Sequence, residues 1–411
     1  MCFNRLDIVM EQGISLERAI SLVQNEKKKL PLEVVHLDNA HGRILGKDLI
    51  SKVNDPRFDN SAMDGWAVRK EDCLEPNTSL QIIGINQAGN PQTNHINTGQ
   101  ACKIMTGAQI PTGANAIVMI EDSEIKGDIV IISGPARETY IRRKGENISK
   151  GEETLSIGHF MDPAAISLAA TMGHEHIEVF SKPTVGIIST GDELIMPGSE
   201  INDYQIYESN SFGISSLVER IGGKPIRYET VADSLDKLRD ALNHAAEHCD
   251  LIITTGGVSM GDFDIVRKLM ELEGKINFWK VKMRPGGPPL FGKWQTIPIF
   301  GLPGNPVSSH LVFSMLVYPW FEASFCANTD SKLSLGRKVR VKMLNDVKGA
   351  QDKICLRRIK ITSEGNNLVA TTHTHQGSGN IHSMVAHNGL TLLPPNVDAK
   401  IGEIIDAFWF N

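Results

Sequence analysis

The chain lacks any C-x-x-C pair; its six cysteines, Cys2, Cys73, Cys102, Cys249, Cys326 and Cys355, are scattered singly. That pattern argues against a disulfide framework and a zinc knuckle and suits a reducing, cytoplasmic setting. No stretch reaches about 18 uninterrupted apolar residues, and the opening MCFNRLDIVMEQG is broken by charge, so neither a membrane span nor a signal peptide is expected. Cationic excess is also missing. A net charge of −6 disfavours a protein that coats nucleic acid or an anionic membrane, so any anion site must be local. Two nucleotide signatures are absent: G-x-G-x-x-G opening a helix after a strand, and G-x-x-x-x-G-K-[ST]. Nicotinamide chemistry and a P-loop nucleotidase are thereby disfavoured. No internal repeat or low-complexity tract is visible either.

What is present is an ordinary globular balance, 41% hydrophobic and 22% charged over 411 residues, enough for two to four domains. A first helix is expected from Ser15 to about Lys28, with Ser15 as cap, Glu17 in the first turn and Leu16, Ile20 and Val23 on one face. To about residue 160 the texture is β-like, with short runs such as SLQIIGI, CKIMTG, AIVMIED and DIVIISG between Gly, Pro and Asn turns. MDPAAISLAATMGHEHIEVF then reads as a helix capped by Asp162 and stopped at Gly173, followed by a strand. From Lys182 apolar strands alternate with amphipathic helices: TVGIIST, KPIRYET, DLIITTGG and INFWKVKM, with helices near 210–221, 234–247 and 262–273. That rhythm predicts a parallel, three-layer α/β sheet buried on both faces. After a helix ending near Phe325, short strands return from about Lys332 and suggest a small β-barrel or sandwich. The expected architecture is a multidomain α/β chain. An elongated N-terminal α+β region with a β-rich lobe spans 1–180, the central α/β domain 181–328, and the C-terminal β-barrel 329–411.

Ligands of open α/β sheets sit at the carboxyl ends of the strands. Three loops there are polar and glycine-rich: STGDEL (Ser189, Thr190, Gly191, Asp192, Glu193), TTGGVSMGD (with Gly256, Gly257, Ser259) and GLPGNPVSS (with Pro303, Gly304, Asn305, Ser308). Glycines there permit close backbone approach, and loops entering helices offer free N–H groups to phosphate. The accompanying acids are Asp192, Glu193, Asp233, Asp262 and Asp264, and the cations Lys280, Lys282 and Arg284 lie in KVKMRPGGPP. Acids beside a phosphate pocket call for Mg²⁺ to make the two compatible. Other conspicuous pieces read as structural: His174-Glu175-His176 lacks metal-ligand spacing, His373 and His375 alternate along a strand, NEKKKLP is a solvated helix end, and Phe408 to Phe410 suits a barrel seal.

Taken together and in this order, DNSAMDGWAV, IMTGAQIP, RRKGENI, STGDEL, TGGVSMGD, MRPGGP, GLPGNPVS and HQGS resemble the molybdopterin molybdenumtransferase family, related to the gephyrin E domain. The resemblance implies a molybdopterin-binding central domain. It also implies insertion of molybdate into adenylylated molybdopterin, with Mg²⁺-dependent release of AMP. By residue, it implies acidic site positions at Asp64, Glu193, Asp233 and Asp264, with the last three organising Mg²⁺ or the phosphates, and a threonine at Thr106. Lys280 and Arg284 match its cationic stretch, and Ser308, Arg358 and Ser378 its molybdate-contacting set. It further implies a homodimer in which Asp64 and Thr106 complete the partner subunit's pocket, and contact with a molybdopterin adenylyltransferase. Two positions depart from the family pattern: Asn147 stands where R-G-E-D-I has its aspartate, and Gly287 where P-G-K-P has its lysine. A non-catalytic molybdopterin-binding scaffold, or a pterin-nucleotide hydrolase or adenylyltransferase without metal insertion, are the competing readings. Molybdate and tungstate are not distinguished by any of these residues.

Overall fold

The computed structural model describes residues 10–258, 264–326, 335–372 and 375–410. Its centre is a seven-stranded sheet in the order Glu11–Ile14, Lys275–Val281, Leu290–Trp294, Ile297–Leu302, Leu251–Thr255, Thr184–Ser189, Lys224–Arg227. Successive residues of the middle strands face opposite layers. Val185 and Ile187 enter one apolar cluster with helix residues Ile214, Val218 and Phe321, while Ile188 enters another with Leu238, Leu242 and Leu269. Burial on both sides is why these strands are apolar throughout, as the continuous DLIITT run implied.

One expectation needs correction. The sheet is mixed, because Leu290–Trp294 runs antiparallel to both of its neighbours. The reason is the hairpin between Trp294 and Ile297, turned by Gln295 at φ 54°, which is far too short to hold the crossover a parallel pair requires. The first described segments pack on this central sheet. Glu11–Ile14 pairs in parallel with Lys275–Val281 at the edge of the central sheet. Helix Leu16–Asn25, capped by Ser15 accepting from Arg18 N at 3.2 Å, buries Leu16, Ala19 and Val23 in the central core. Lys28 Nζ on Asp250 at 2.6 Å and Trp320 Nε1 on Glu26 O at 3.0 Å hold it there.

The β-rich lobe is a curled sheet in which Gly65–Val68 lies between Gln100–Ile104 and Ala116–Met119, with one apolar cluster on each face. Beside it, helix Pro163–Thr171, capped by Asp162 accepting from Ala165 N at 2.8 Å, packs on the paired strands Leu32–His36 and His176–Phe180. In the C-terminal part Gly336–Met343, Asn367–Thr372, Arg358–Glu364, Gly389–Thr391 and Ile404–Phe410 close into a barrel. Along the last strand Phe408 and Phe410 pack on the central core while Trp409 packs on the barrel's own. Among the described residues, no helix is long and apolar enough to cross a membrane.

Gly65 shows how tightly the lobe is drawn. A Cβ there would lie directly against the Val118 carbonyl oxygen of the paired strand. Gly65→Ala is therefore expected to open the lobe, read as faster proteolysis between residues 60 and 120, while helical circular dichroism from the central domain persists.

Candidate active site

The carboxyl edge of the central sheet opens into a cavity of about 690 Å³. Thr190, Gly191 and Glu193 enter it after strand Thr184–Ser189, Gly256, Gly257 and Asp264 after Leu251–Thr255, and Pro303, Gly304, Asn305 and Ser308 after Ile297–Leu302. Asp233 comes from the loop beyond Lys224–Arg227, Arg284 from the turn after Lys275–Val281, and Ser378 from the barrel domain. Segments far apart in sequence thus meet on one surface. The double glycine has a local reason: Gly256 and Gly257 sit at φ 92° and 64°, and a Cβ on Gly256 would come within 2.8 Å of Thr190 O. Only glycine allows the two neighbouring loops to cross so closely.

The cavity is electrically uneven. Asp233, Glu193 and Asp264 contribute carboxylates, while Arg284 with the hydroxyls of Ser308 and Ser378 lies along the same wall system. Burial, then the negative charges of Asp192 and Glu193, push the Asp233 carboxyl above its usual range, and Asp264 adds to the effect. Asp192 does not line the cavity; its Oδ1 accepts from Asp233 N at 3.0 Å and holds that loop in place. Among the described residues, no three His, Cys, Asp or Glu side chains form a group that could hold a metal ion by themselves. In the His174-Glu175-His176 stretch, His174 Nε2 is bonded to Ile50 O at 2.8 Å.

Several expected site residues stand behind the cavity wall. Ser189 is buried and braces Glu208 at 2.9 Å and Thr255 at 3.0 Å. Lys280 is not a lining residue: held at φ 67°, it places its ammonium 4.0 Å from the Trp279 ring centre. Arg358, 1% exposed, donates from Nε to Ser383 Oγ and from Nη2 to Gly377 O, each at 3.0 Å. Its Nη1 is buried with no partner among the described residues. Burial, then the charge of Arg357, lowers its pKa, yet a guanidinium remains a cation. A buried cation served only by neutral acceptors favours an anion nearby. Ser259 and Asp262 lie outside the described residues, as does His373.

Asp64 and Thr106 lie in the lobe and outside this cavity. They form one unit, with Asp64 Oδ1 accepting from Thr106 N at 2.7 Å and from its hydroxyl at 3.0 Å, and these two bonds hold the carboxyl below its usual range. Asn147 donates from Nδ2 to Asp55 Oδ2 at 3.0 Å, so a carboxylate lies next to the amide where the family pattern has an acid. Gly287 lies between Gly286 and Pro288, which both line the cavity. Sequence reasoning missed Asn210 and Glu208; the polar run YESN directly before a helix was the signal that marked them.

An α/β domain with this edge cavity belongs to a recognisable class: residues 186–323 match the model of a probable molybdopterin binding domain. The flanks match as well, 14–173 to the MoeA N-terminal region (domain I and II) and 340–409 to the MoeA C-terminal region (domain IV). A molybdopterin molybdenumtransferase of Haemophilus influenzae is 38% identical over 289 residues, 70% of this chain and 71% of that one. Another, from Staphylococcus epidermidis, is 30% identical over 401 residues, 96% of this chain and 95% of its own length. The crystal structure of a molybdopterin biosynthesis moeA protein from Pyrococcus horikoshii superposes with a TM-score of 0.85 at 28% identity, covering 97% of this chain and all of that one. The chain belongs to the molybdopterin molybdenumtransferase (MoeA) family.

The raised carboxyl of Asp233 gives a pH test. The native state holds this proton more tightly than the unfolded chain does, so the group's contribution to stability falls as pH rises from the ordinary carboxylate range to the raised native value, and stays lost above it. Asp233→Asn is expected to raise the thermal midpoint at pH 7 without divalent cations, with the difference from wild type vanishing towards acid pH in scanning calorimetry.

Proposed function

We infer that this chain transfers molybdenum from molybdate to the dithiolene of adenylylated molybdopterin and releases AMP. The observation that carries this reading is the meeting of Glu193, Asp233, Asp264, Arg284, Ser308 and Ser378 in one cavity. An adenylylated pterin carries a phosphoanhydride, and cleaving it is mostly a matter of positioning and charge stabilisation rather than covalent catalysis. Glu193, Asp233 and Asp264 would hold Mg²⁺, which when bound supplies charge neutralisation to the phosphates. Their fit rests on three carboxylates lining one cavity, where burial and then neighbouring negative charge raise the Asp233 carboxyl and a divalent cation would relieve that crowding.

Molybdate is a substrate, a tetrahedral dianion suited to arginine and hydroxyl donors. Arg284, Ser308 and Ser378 face the cavity for that role, and buried Arg358 supports it from behind by fixing the Gly377 carbonyl beside Ser378. Ser189, Asp192 and Lys280 act as positioning residues, and Thr190, Gly191, Gly256, Gly257, Ser259, Pro303, Gly304 and Asn305 form the ligand-binding loops. The working assembly is a homodimer in the cytoplasm, where Asp64 and Thr106 of one subunit complete the cavity of the other. Their mutual hydrogen bonds keep the carboxylate ionised for that purpose. Its division is 1–180, 181–328 and 329–411, with the first strand and helix docked on the central unit, and a molybdopterin adenylyltransferase hands over the substrate.

Purified protein given adenylylated molybdopterin is expected to release AMP only when molybdate and Mg²⁺ are both present, measured by nucleotide chromatography. Asp264→Asn should lower kcat on the order of a hundredfold. AMP release without molybdate would instead mark a hydrolase, and tight binding with no release a scaffold.

A further inference from the structure

The cavity contains a side chain whose carboxamide oxygen has no partner among the described residues. Asn210 begins helix Asn210–Arg220 and lines the cavity. Its Nδ2 donates to Gly304 O at 2.7 Å. Because a carbonyl only accepts, the amide nitrogen must face Gly304, which turns Oδ1 away from that loop. That oxygen is buried and has no hydrogen-bond partner among the described residues. A buried acceptor left unserved costs free energy that a ligand donor would restore.

The position is also rigid. Glu208, 2% exposed, accepts from Ser189 Oγ at 2.9 Å, from Ser211 N at 2.8 Å and from Ser211 Oγ at 2.6 Å. These bonds clamp the first turn of the helix to the end of a central strand, on either side of Asn210. A second, independent atom shares the pattern: the hydroxyl of Thr190, a residue 5% exposed on the same cavity, is likewise buried without a partner among the described residues.

We propose that Asn210 is a specificity-determining residue whose carboxamide oxygen accepts a hydrogen bond from an N–H or O–H group of the adenylylated ligand. The donor is a heterocycle amine or ring N–H, or a ribose hydroxyl. The inference rests on the family reaction given above and adds to it a contact that selects for a donor. Glu208 is the positioning residue that keeps the acceptor aimed.

The test uses the full chain, wild type, Asn210→Ala and Asn210→Asp, the last keeping the acceptor while losing the donor to Gly304. Steady-state kinetics on adenylylated molybdopterin are combined with calorimetric titration of AMP, IMP and 2′-deoxy-AMP. Asn210→Ala should raise KM about tenfold with kcat within about twofold, as expected for a lost uniform binding contact. Asn210→Asp should stay nearer wild type. If the donor is the adenine amine, wild type prefers AMP over IMP; if the ribose 2′-hydroxyl, AMP over 2′-deoxy-AMP; either preference should disappear in Asn210→Ala and survive in Asn210→Asp. No nucleotide preference together with the raised KM assigns the donor to the pterin or another ribose hydroxyl. An unchanged KM in a folded Asn210→Ala overturns the proposal, as does equal damage in both variants, which would mean that only the Gly304 brace matters. Absence of turnover in wild type would sink the reaction itself, a separate outcome.

Discussion

The structure depends on the burial of its middle strands from both sides. Leu251–Thr255 and Thr184–Ser189 have helices above and below, so their middles are apolar and their buried polar side chains, Ser189, Thr254 and Thr255, fall at the carboxyl ends. Polar chemistry is displaced to the strand ends, where loops leave the sheet in diverging directions. The glycines, carboxylates and hydroxyls of STGDEL, TTGG and PGNP collect there for that reason, and the cavity is the space they enclose. The ordering of loops by the sheet also explains why Glu193 raises the carboxyl of Asp233, 40 positions away, after burial and Asp192.

Charge within the cavity is arranged to be incomplete without a guest. Burial, then the neighbouring carboxylates, lifts the Asp233 carboxyl above its ordinary range, while Arg358 is a buried cation with only neutral acceptors. Either feature alone is an expense to folding. On the reading proposed above, a divalent cation and a multiply charged anion would neutralise both. The barrel is joined to this by short links: Asn305 Nδ2 to Ser378 Oγ and Val307 N to Ser378 O, both 3.1 Å. The barrel part thereby supplies some of a wall built chiefly by residues before 309.

Much of this was legible in the residues. Alternation of strand and helix from Lys182, the caps at Ser15 and Asp162, and the short C-terminal strands all follow from local patterns, and the structure has each. The mixed character of the sheet was hidden because LFGKW is as apolar as a parallel core strand; only its two-residue connection to IPIFGL reveals direction. The docking of Leu16–Asn25 was equally hidden. An amphipathic stripe declares that it is buried but not against what, and here the choice was made by Trp320, Ser324 and Asp250, nearly 300 positions away in the case of Trp320. Lys280 read as a ligand cation from its neighbours in sequence; its left-handed backbone and the ring of Trp279 take it out of the cavity wall.

By itself the sequence determined which residue types sit at the strand ends and in what order, because turn glycines, capping residues and apolar periodicity act over a few positions. It also carried the joint motif pattern that marks the family. The tertiary structure alone decided which of those residues share a surface, which stand one layer behind it, and which way the Asn210 carboxamide points. Such facts depend on packing between segments hundreds of positions apart, and no local rule of charge or periodicity contains that distance.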